Sequence, residues 1–412
     1  MNTSKSSIIP FIKNKILDKL TLDEFQFTEQ TEYMLRIIYN HLLTAESEWI
    51  SVTSQNKTNL GKLDTKDMFT GSAYDYIPQE IRNDLESSKK IGFTSQLNIN
   101  GRIIHIKIVF PQSHSSAESH SSTIYKKRAE QMVNRIFLWL FIADKFACRT
   151  CSSEMTIFLY MTDHIKLLPP KGHSIDKINA NTAFTTPCSH STDIHLFRQE
   201  EWFKVFIHET FHNLGLDFST MSQTKVEPHI LTMFPLNIPD IRIFESYCEV
   251  WAELMNIMFS VYWHSKNKGD INKILDKMED LMQLERTFSM FQCTKVLHNY
   301  GLTYSDIYQT STHKANLGKL GNYKEETNAF AYYVLKPILF FHLNEFIEWS
   351  IKHNGLTLDF KKTPTNIMKY AGLIKELYDS PEYIEYMTQI EQLYKDNGKF
   401  EYRTLRMSIV EP

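Results

Sequence analysis

The chain has 412 residues, of which 42% are hydrophobic and 23% are charged, a composition typical of folded globular proteins rather than disordered ones. A formal net charge of -3 leaves no basic excess for binding a phosphate backbone, so we expect no nucleic-acid partner. Five cysteines, an odd number in a long chain, do not suggest a secreted disulfide framework.

The apolar stretches of the chain are short. The first twenty residues lack the apolar segment of a signal peptide, and the longest apolar runs, at 136–143 and 254–263, are too short to span a membrane. We therefore expect an intracellular, cytoplasmic protein with no membrane partner. The sequence leaves its oligomeric state open.

The first half of the chain mixes helical and strand patterns. Apolar residues at helical spacing predict helix within residues 1–50, whereas residues 51–90 show no strong periodicity. Residues 94–110 alternate apolar and polar side chains around Asn100-Gly101, which predicts a β-hairpin because this dipeptide accepts positive φ. A helix at about 124–147 and strands at 154–162, 181–186 and 193–197 are expected to follow.

The second half is predicted to be almost wholly helical. A helix is expected to begin near Gln199, with Glu200 and Glu201 in its first turn, and to carry the run VFIHETFHNLGLDFS (205–219). The resulting order is an α+β fold in three parts. These are an N-terminal helical region with the hairpin (1–123), a mixed core (124–262) and an α-helical C-terminal lobe (263–412).

The run HETFH carries the pattern of a metal site. His208 and His212 are four residues apart, so on a helix their side chains project from one face and can bind one Zn²⁺. Glu209 lies beside them and is the candidate general base that takes a proton from an attacking water. The five-residue pattern can also arise by chance, so a third ligand decides the interpretation.

One place for that ligand is directly after the second histidine. Gly215 stands where the metzincin pattern has its glycine, but the position of the third metzincin histidine holds Phe218, so this option fails. Asp217 is one residue away and is an alternative ligand, although a role in capping or pairing near the helix end suits it better.

A better candidate is the helix FESYCEVWAEL (244–254). Glu245, Glu249 and Glu253 lie four residues apart on one face of an otherwise apolar helix. Aromatic neighbours suggest partial burial of the first two, where an unpaired carboxylate is costly and a cation would offset the cost. We expect Glu245 to be the third ligand, Glu249 to orient a ligand histidine, and Glu253 to lie on a solvated face.

The two motifs together resemble those of the gluzincin (thermolysin-like) metallopeptidases. That family has HExxH followed by a second helix with glutamate, three residues and aspartate; here Glu249 replaces the aspartate and the spacer is longer. The run 197–219 also resembles putative metallopeptidases of large DNA viruses. The resemblance covers about residues 150–260. It implies a zincin-like core with a small mixed sheet, one catalytic zinc ion and a peptide or protein substrate, in the cytoplasm or in a virion.

The remaining elements of such a site are less specific in this sequence. An edge strand that pairs with an extended peptide could be residues 179–187 or 193–197. The donor to the transition-state oxyanion could be a tyrosine or histidine outside the motifs. Candidates are Tyr332, Tyr333 and His229, with His298 and His313 as further possibilities.

Two further questions stay open at the level of sequence. Cys148 and Cys151 form a C-x-x-C pair that, with Cys188 and His190, could bind a second, structural metal, although the spacing is irregular. The alternatives to a peptidase are a metallohydrolase of non-peptide amides and a zincin-fold binding or virion-associated structural protein without proteolytic activity.

Overall fold

The computed structural model describes residues 5–21, 23–54, 60–68, 72–112, 118–308 and 317–412. It combines one six-stranded mixed sheet with many helices, which confirms the broad α+β class. The strands are β1 Gly61–Lys62, β2 Lys90–Ile99, β3 Arg102–Pro111, β4 Glu154–Tyr160, β5 Ala183–Thr185 and β6 Ser191–Leu196.

The α-helices are α1 Lys5–Phe11, α2 Glu29–Ser54, α3 Gln79–Ser87, α4 Glu118–Ala143, α5 Lys177–Ala180, α6 Trp202–Asn213, α7 Glu227–Met233, α8 Ile243–His264, α9 Ile271–Asn299, α10 Tyr304–Ile307, α11 Leu317–Leu320, α12 Lys336–Phe341, α13 Leu343–Asn354, α14 Pro364–Leu377 and α15 Pro381–Leu393. Within the described ranges, none of these helices combines the length and hydrophobicity needed to cross a bilayer.

The chain divides into two compact units, each built from segments that are not consecutive in sequence. The sheet unit comprises Leu35–Ile165 and Thr182–Leu216, and the helical unit comprises Met1–Met34, Lys166–Asn181 and Asp217–Pro412. The division into successive stretches at 123 and 262 remains a prediction.

The sheet unit is organised around the predicted hairpin. Strands β2 and β3 pair antiparallel, with Ile99 opposite Arg102, so the turn consists of Asn100 and Gly101 alone. Both turn residues have positive φ, 49° and 93°, as a type I′ hairpin requires. The sheet order is β1-β2-β3-β4-β6-β5, and the β3–β4 and β4–β6 pairs are parallel. Helix α4 packs on β2 and β3, and α6 packs on β5 and β6.

Most predicted elements of the sheet unit are present with shifted ends. Helix α4 occupies 118–143 where 124–147 was predicted, and the short helix α3 lies in a region without periodicity. The motif helix begins at Trp202, not near Gln199, because Glu201 is left-handed with φ of 56° and interrupts the helical backbone. Glu200 and Glu201 therefore precede the first turn of α6 and do not lie in it.

The helical unit has a core that is rich in aromatic side chains and also contains buried ion pairs. Glu253, expected on a solvated face, is fully buried and pairs with Lys336, whose ammonium also donates to Ser289 at 3.1 Å. The sequence-based expectation for Glu253 was wrong because it judged the carboxylate from its own helix, whereas its partner lies on α12.

The last ten residues, predicted as helix, contain none. Residues 404–410 are buried, and several of their backbone groups bond to side chains of the unit. The carbonyl of Thr404, for example, accepts from Gln292 at 3.2 Å and from Lys295 at 2.7 Å. The carboxylate of Glu285 accepts hydrogen bonds from the N–H groups of Ile409 at 3.0 Å and Val410 at 2.8 Å. Such partners allow an irregular segment to be buried without orphaned polar groups.

Candidate metal site

All twelve residues of α6 are buried, although six of them carry polar or charged side chains. Its C-terminus is a Schellman motif: Gly215 adopts φ of 65°, its N–H donates to His212 O at 3.1 Å, and the N–H of Leu216 donates to Phe211 O at 2.8 Å. Gly215, which also stands at the metzincin glycine position, therefore has a structural explanation, because the left-handed conformation favours glycine.

Other parts of the sheet unit fix the position of α6. The indole of Trp139, on α4, donates to Thr210 Oγ1 at 2.6 Å and stacks on Phe211 with ring centroids 6.1 Å apart. At the C-terminal end of the helix, the hydroxyl of Ser152 donates to Asn213 O at 2.7 Å. The helix is thus held at its centre and at its end, which limits movement of the side chains between these points.

The two histidines of the motif converge at their ring nitrogens. The Nε2 atoms of His208 and His212 lie 3.1 Å apart, with the rings inclined at 78°. Two donors at about 2.0–2.1 Å from one tetrahedral zinc ion are separated by about 3.3 Å, so the observed spacing suits a shared ion. Both imidazoles and the adjacent Glu209 are buried.

In the helical unit, Glu245 lies in the first turn of α8 and its carboxylate is held by two side chains. Asn328 Nδ2 donates to Oε1 at 2.9 Å and the Tyr332 hydroxyl donates to Oε2 at 3.2 Å. Tyr332 belongs to the π-helical turn Ala331–Leu335, a deformation that often marks functional positions. Glu249, one turn along α8, is also buried.

His208 and His212 belong to the sheet unit, and Glu245 belongs to the helical unit. Two imidazoles and one carboxylate are a donor set that zinc accepts, and three protein ligands leave one coordination position open. Within the helical unit, the Cys248 thiol donates to Asp217 Oδ2 at 3.7 Å. Asp217 also accepts a hydrogen bond from Ser219 at 3.0 Å, in line with the pairing role expected for it.

Phe218 has an evident role in the core of the helical unit. It is fully buried, and its ring centroid lies 4.1 Å from that of Phe360, beside Tyr247 and Tyr370. The residue that rules out a metzincin ligand is thus part of an aromatic cluster.

The candidate oxyanion donors have different environments. Tyr333, adjacent to Tyr332, is buried and its hydroxyl donates to Leu405 O at 2.6 Å. His229 is exposed on α7, with Nδ1 3.1 Å from Lys225 O. Burial lowers the pKa of His298, whose ring centroid lies 4.5 Å from that of Tyr394 with the rings inclined at 58°. His313 lies outside the described residues.

The structure does not keep the cysteines considered for a second, structural metal as a set of thiol ligands. Cys151 and Cys188 are joined in a disulfide, so their sulfurs are not available as thiolate ligands. Cys148 and His190 are exposed. The pairing was not evident from sequence because Cys188 is 37 residues from Cys151 and sits on a different loop.

One of the two candidate substrate strands lies at an edge of the sheet. Strand β5 is the terminal strand, whereas β6 pairs on both sides. Thr182 O accepts from Phe197 N and Thr186 N donates to Asp193 O, so residues 182, 184 and 186 face β6. The backbone groups of Ala183 and Thr185 consequently point outward, away from β6.

Asn328 is the residue at this site that sequence reasoning missed. It lies 83 residues from Glu245, in a segment without a metal-binding pattern, and an asparagine alone carries no such signal.

Comparisons with protein-family models, with curated proteins and with solved structures found no match for this chain.

Proposed function

We propose that the chain is a zinc-dependent peptidase in which His208, His212 and Glu245 hold one Zn²⁺ and Glu209 is the general base. The observation that carries the proposal is the 3.1 Å approach of the two Nε2 atoms on a buried helix, with a glutamate between the two histidines in sequence. Two imidazoles held this close in the protein interior are explained well by a shared cation.

A zinc ion in this position would supply a Lewis acid that polarises the scissile carbonyl and brings the pKa of a coordinated water toward neutrality. Glu209 takes the proton from the attacking water and later delivers it to the leaving amine. Glu249, buried one turn beyond Glu245, is the carboxylate that would orient a ligand imidazole. The sheet with α6 corresponds in this proposal to a zincin-like core.

The edge strand favours an extended peptide as substrate. Ala183 and Thr185 present backbone N–H and C=O groups outward, and an extended peptide can add to such an edge as a further strand. A small non-peptide amide would not use this row of donors and acceptors. The alternative, a zincin-fold binding or virion-associated structural protein, needs no general base, so the presence of Glu209 between the histidines favours catalysis.

Metal content is the first test of the proposal. We expect about one zinc ion per chain in the purified protein by elemental analysis, and loss of that ion in His212→Ala. The exposed His229→Ala is the matched control and should keep its zinc. A zinc-free wild-type protein that takes up no added zinc would refute the site.

Peptide cleavage is the second test. The wild-type protein should cleave members of a peptide library, followed by mass spectrometry, and Glu209→Gln should lose at least a hundredfold in rate while retaining zinc. Glu227→Gln, on α7, controls for loss of a carboxylate elsewhere. Full zinc content without any cleavage would support the binding-protein alternative, and equal cleavage by wild type and Glu209→Gln would remove the proposed base.

A further inference from the structure

We propose that Cys148, Cys151 and Cys188 form a thiol–disulfide exchange site that controls how firmly the C-terminal end of α6 is held. Two of these cysteines form the disulfide and the third, Cys148, lies outside it and is exposed. All three belong to the sheet unit.

The geometry of the loop brings the third cysteine to the disulfide. The N–H of Cys151 donates to Cys148 O at 3.2 Å, which closes a four-residue turn. In such a turn the first and last Cα atoms lie within about 7 Å. Disulfides span Cα separations of about 4.4–6.8 Å, so Cys148 can bond to Cys151 with little backbone movement.

A buried arginine holds both ends of this turn. The guanidinium of Arg102 donates from Nη2 to Cys148 O at 2.8 Å and from Nη1 to Cys151 O, and its Nε donates to Asp144 at 2.7 Å. Arg102 is 4% exposed. Because its planar donor group bridges the two carbonyls, the turn keeps its shape whichever cysteine is bonded to Cys151.

The exchange step is balanced without an external oxidant. The Cys148 thiol loses its proton and the thiolate attacks Cys151 Sγ. A Cys148–Cys151 bond forms, the Cys151–Cys188 bond breaks, and Cys188 leaves as a thiolate that takes up a proton. One disulfide and one thiol are present before and after the step, so it involves no net oxidation or reduction.

The disulfide is coupled to the candidate metal helix by direct contacts. The N–H of Cys188 donates to His212 O at 3.1 Å, and Ser152, next to Cys151, donates to Asn213 O at 2.7 Å. A Cβ on Gly215 would lie 2.8 Å from Cys151 Sγ, so the sulfur rests against the helix end. Exchange would release the loop that carries Cys188 and would leave its bond to His212 O without covalent support.

Trypsin provides a direct readout because Arg149 separates the two cysteines of the C-x-x-C. A Cys148–Cys151 disulfide links peptides 146–149 and 150–166, whereas the Cys151–Cys188 disulfide links 150–166 to 178–198. The full-length protein is equilibrated in glutathione buffers of varied redox ratio, quenched in acid, alkylated and digested. At intermediate ratios we expect the 146–149/150–166 pair together with alkylated Cys188.

Cys148→Ser tests the role of the third cysteine. In this variant, Cys188 should become alkylatable only when Cys151 is no longer disulfide-bonded within the chain. The control Ser153→Ala keeps all three cysteines and should match the wild type. The proposal is overturned if the 146–149/150–166 pair is absent at every ratio. It is also overturned if Cys148 only gains glutathione while the Cys151–Cys188 bond stays intact.

A second measurement addresses the coupling to His212 and rests on the proposed zinc site. Transfer of zinc to a chromophoric chelator should be at least tenfold faster from the exchanged wild-type protein than from Cys148→Ser in the same buffer. Equal rates would refute the coupling. The tryptic peptide map does not depend on zinc. If the chain bound no zinc, the peptide map would still detect disulfide exchange, so the two proposals can be refuted separately.

Discussion

Asn328 donates a hydrogen bond from its side-chain amide to Oε1 of Glu245 at 2.9 Å. This donor and the Tyr332 hydroxyl, which donates to Oε2 at 3.2 Å, together limit the rotation of the carboxylate. Hydrogen-bond partners of this kind commonly change metal affinity by about 10- to 100-fold when they are removed.

The first prediction therefore concerns zinc affinity. Asn328→Ala should raise the zinc dissociation constant by about tenfold or more, measured by competition with a chromophoric chelator. Asn322→Ala is the matched control, because Asn322 lies in the same segment and bonds to Tyr300 O. An unchanged dissociation constant in Asn328→Ala would argue against Glu245 as a ligand.

Two adjacent tyrosines allow a paired test of the oxyanion donor. Tyr332 bonds to Glu245, whereas Tyr333 bonds to Leu405 O. Tyr332→Phe should lower kcat by about 10²–10³-fold with zinc content unchanged, because Asn328 still holds the carboxylate. Tyr333→Phe should cost about 1 kcal/mol of stability in urea unfolding and leave kcat unchanged. A loss of kcat in Tyr333→Phe, with kcat unchanged in Tyr332→Phe, would instead make Tyr333 the oxyanion donor.

The edge strand gives a prediction about peptide binding. Proline is tolerated where an edge-strand N–H points outward, so Ala183→Pro should fold but lack one donor to the substrate. We expect kcat/KM for peptides to fall by about tenfold with zinc content unchanged. Phe184→Pro removes an N–H that faces β6 and should destabilise the sheet unit instead. Unchanged kcat/KM in Ala183→Pro would exclude pairing at this position.

Two glycines have nearly the same backbone conformation but different packing. Substituting each by alanine therefore distinguishes the stability cost of backbone strain from that of close packing. Gly215 and Gly301 both end helices at positive φ, 65° and 69°, but only Gly215 has an atom within 4 Å of an added Cβ. Gly301→Ala should cost about 1–2 kcal/mol. Gly215→Ala should cost about 1–3 kcal/mol more, because the new methyl group meets Cys151 Sγ. Equal losses in urea unfolding would contradict the close packing of the disulfide.

The buried carboxyl of Glu325 predicts a dependence of stability on pH. Burial raises its pKa to about 7, although hydrogen bonds from Tyr323 and the Phe330 N–H oppose the shift. Because the folded-state pKa lies above the unfolded value, the favourable contribution is complete below about pH 4.5 and is lost as the pH rises through about 7. The loss amounts to at most about 3 kcal/mol.

Glu325→Gln removes this titration. Its stability relative to wild type should therefore increase from pH 5 to pH 8, measured by urea unfolding. Burial also raises the pKa of Glu391 to about 7, but Glu391 titrates in both proteins and cancels from the difference. The exposed neighbour Glu326→Gln is the control and should give a difference independent of pH. A flat difference for Glu325→Gln would place its pKa near the ordinary value.

Local pattern was sufficient to predict several elements and the core of the candidate site. The Asn100-Gly101 turn, the strands and the His208–Glu209–His212 triplet depend on residues close in sequence, where periodicity and backbone preference act directly. The start of α6 was misplaced because the left-handed Glu201 carries no sequence signal of its own.

Other features were decided only by the tertiary structure, because they depend on partners far apart in the chain. Asn328 reaches Glu245 across 83 residues, Lys336 neutralises the buried Glu253, and Cys188 joins Cys151. The residue type of one partner does not reveal whether the other is near. Sequence alone could thus identify the two histidines and Glu209 as candidates, whereas the hydrogen bonds that hold Glu245 and the disulfide against α6 required the folded chain.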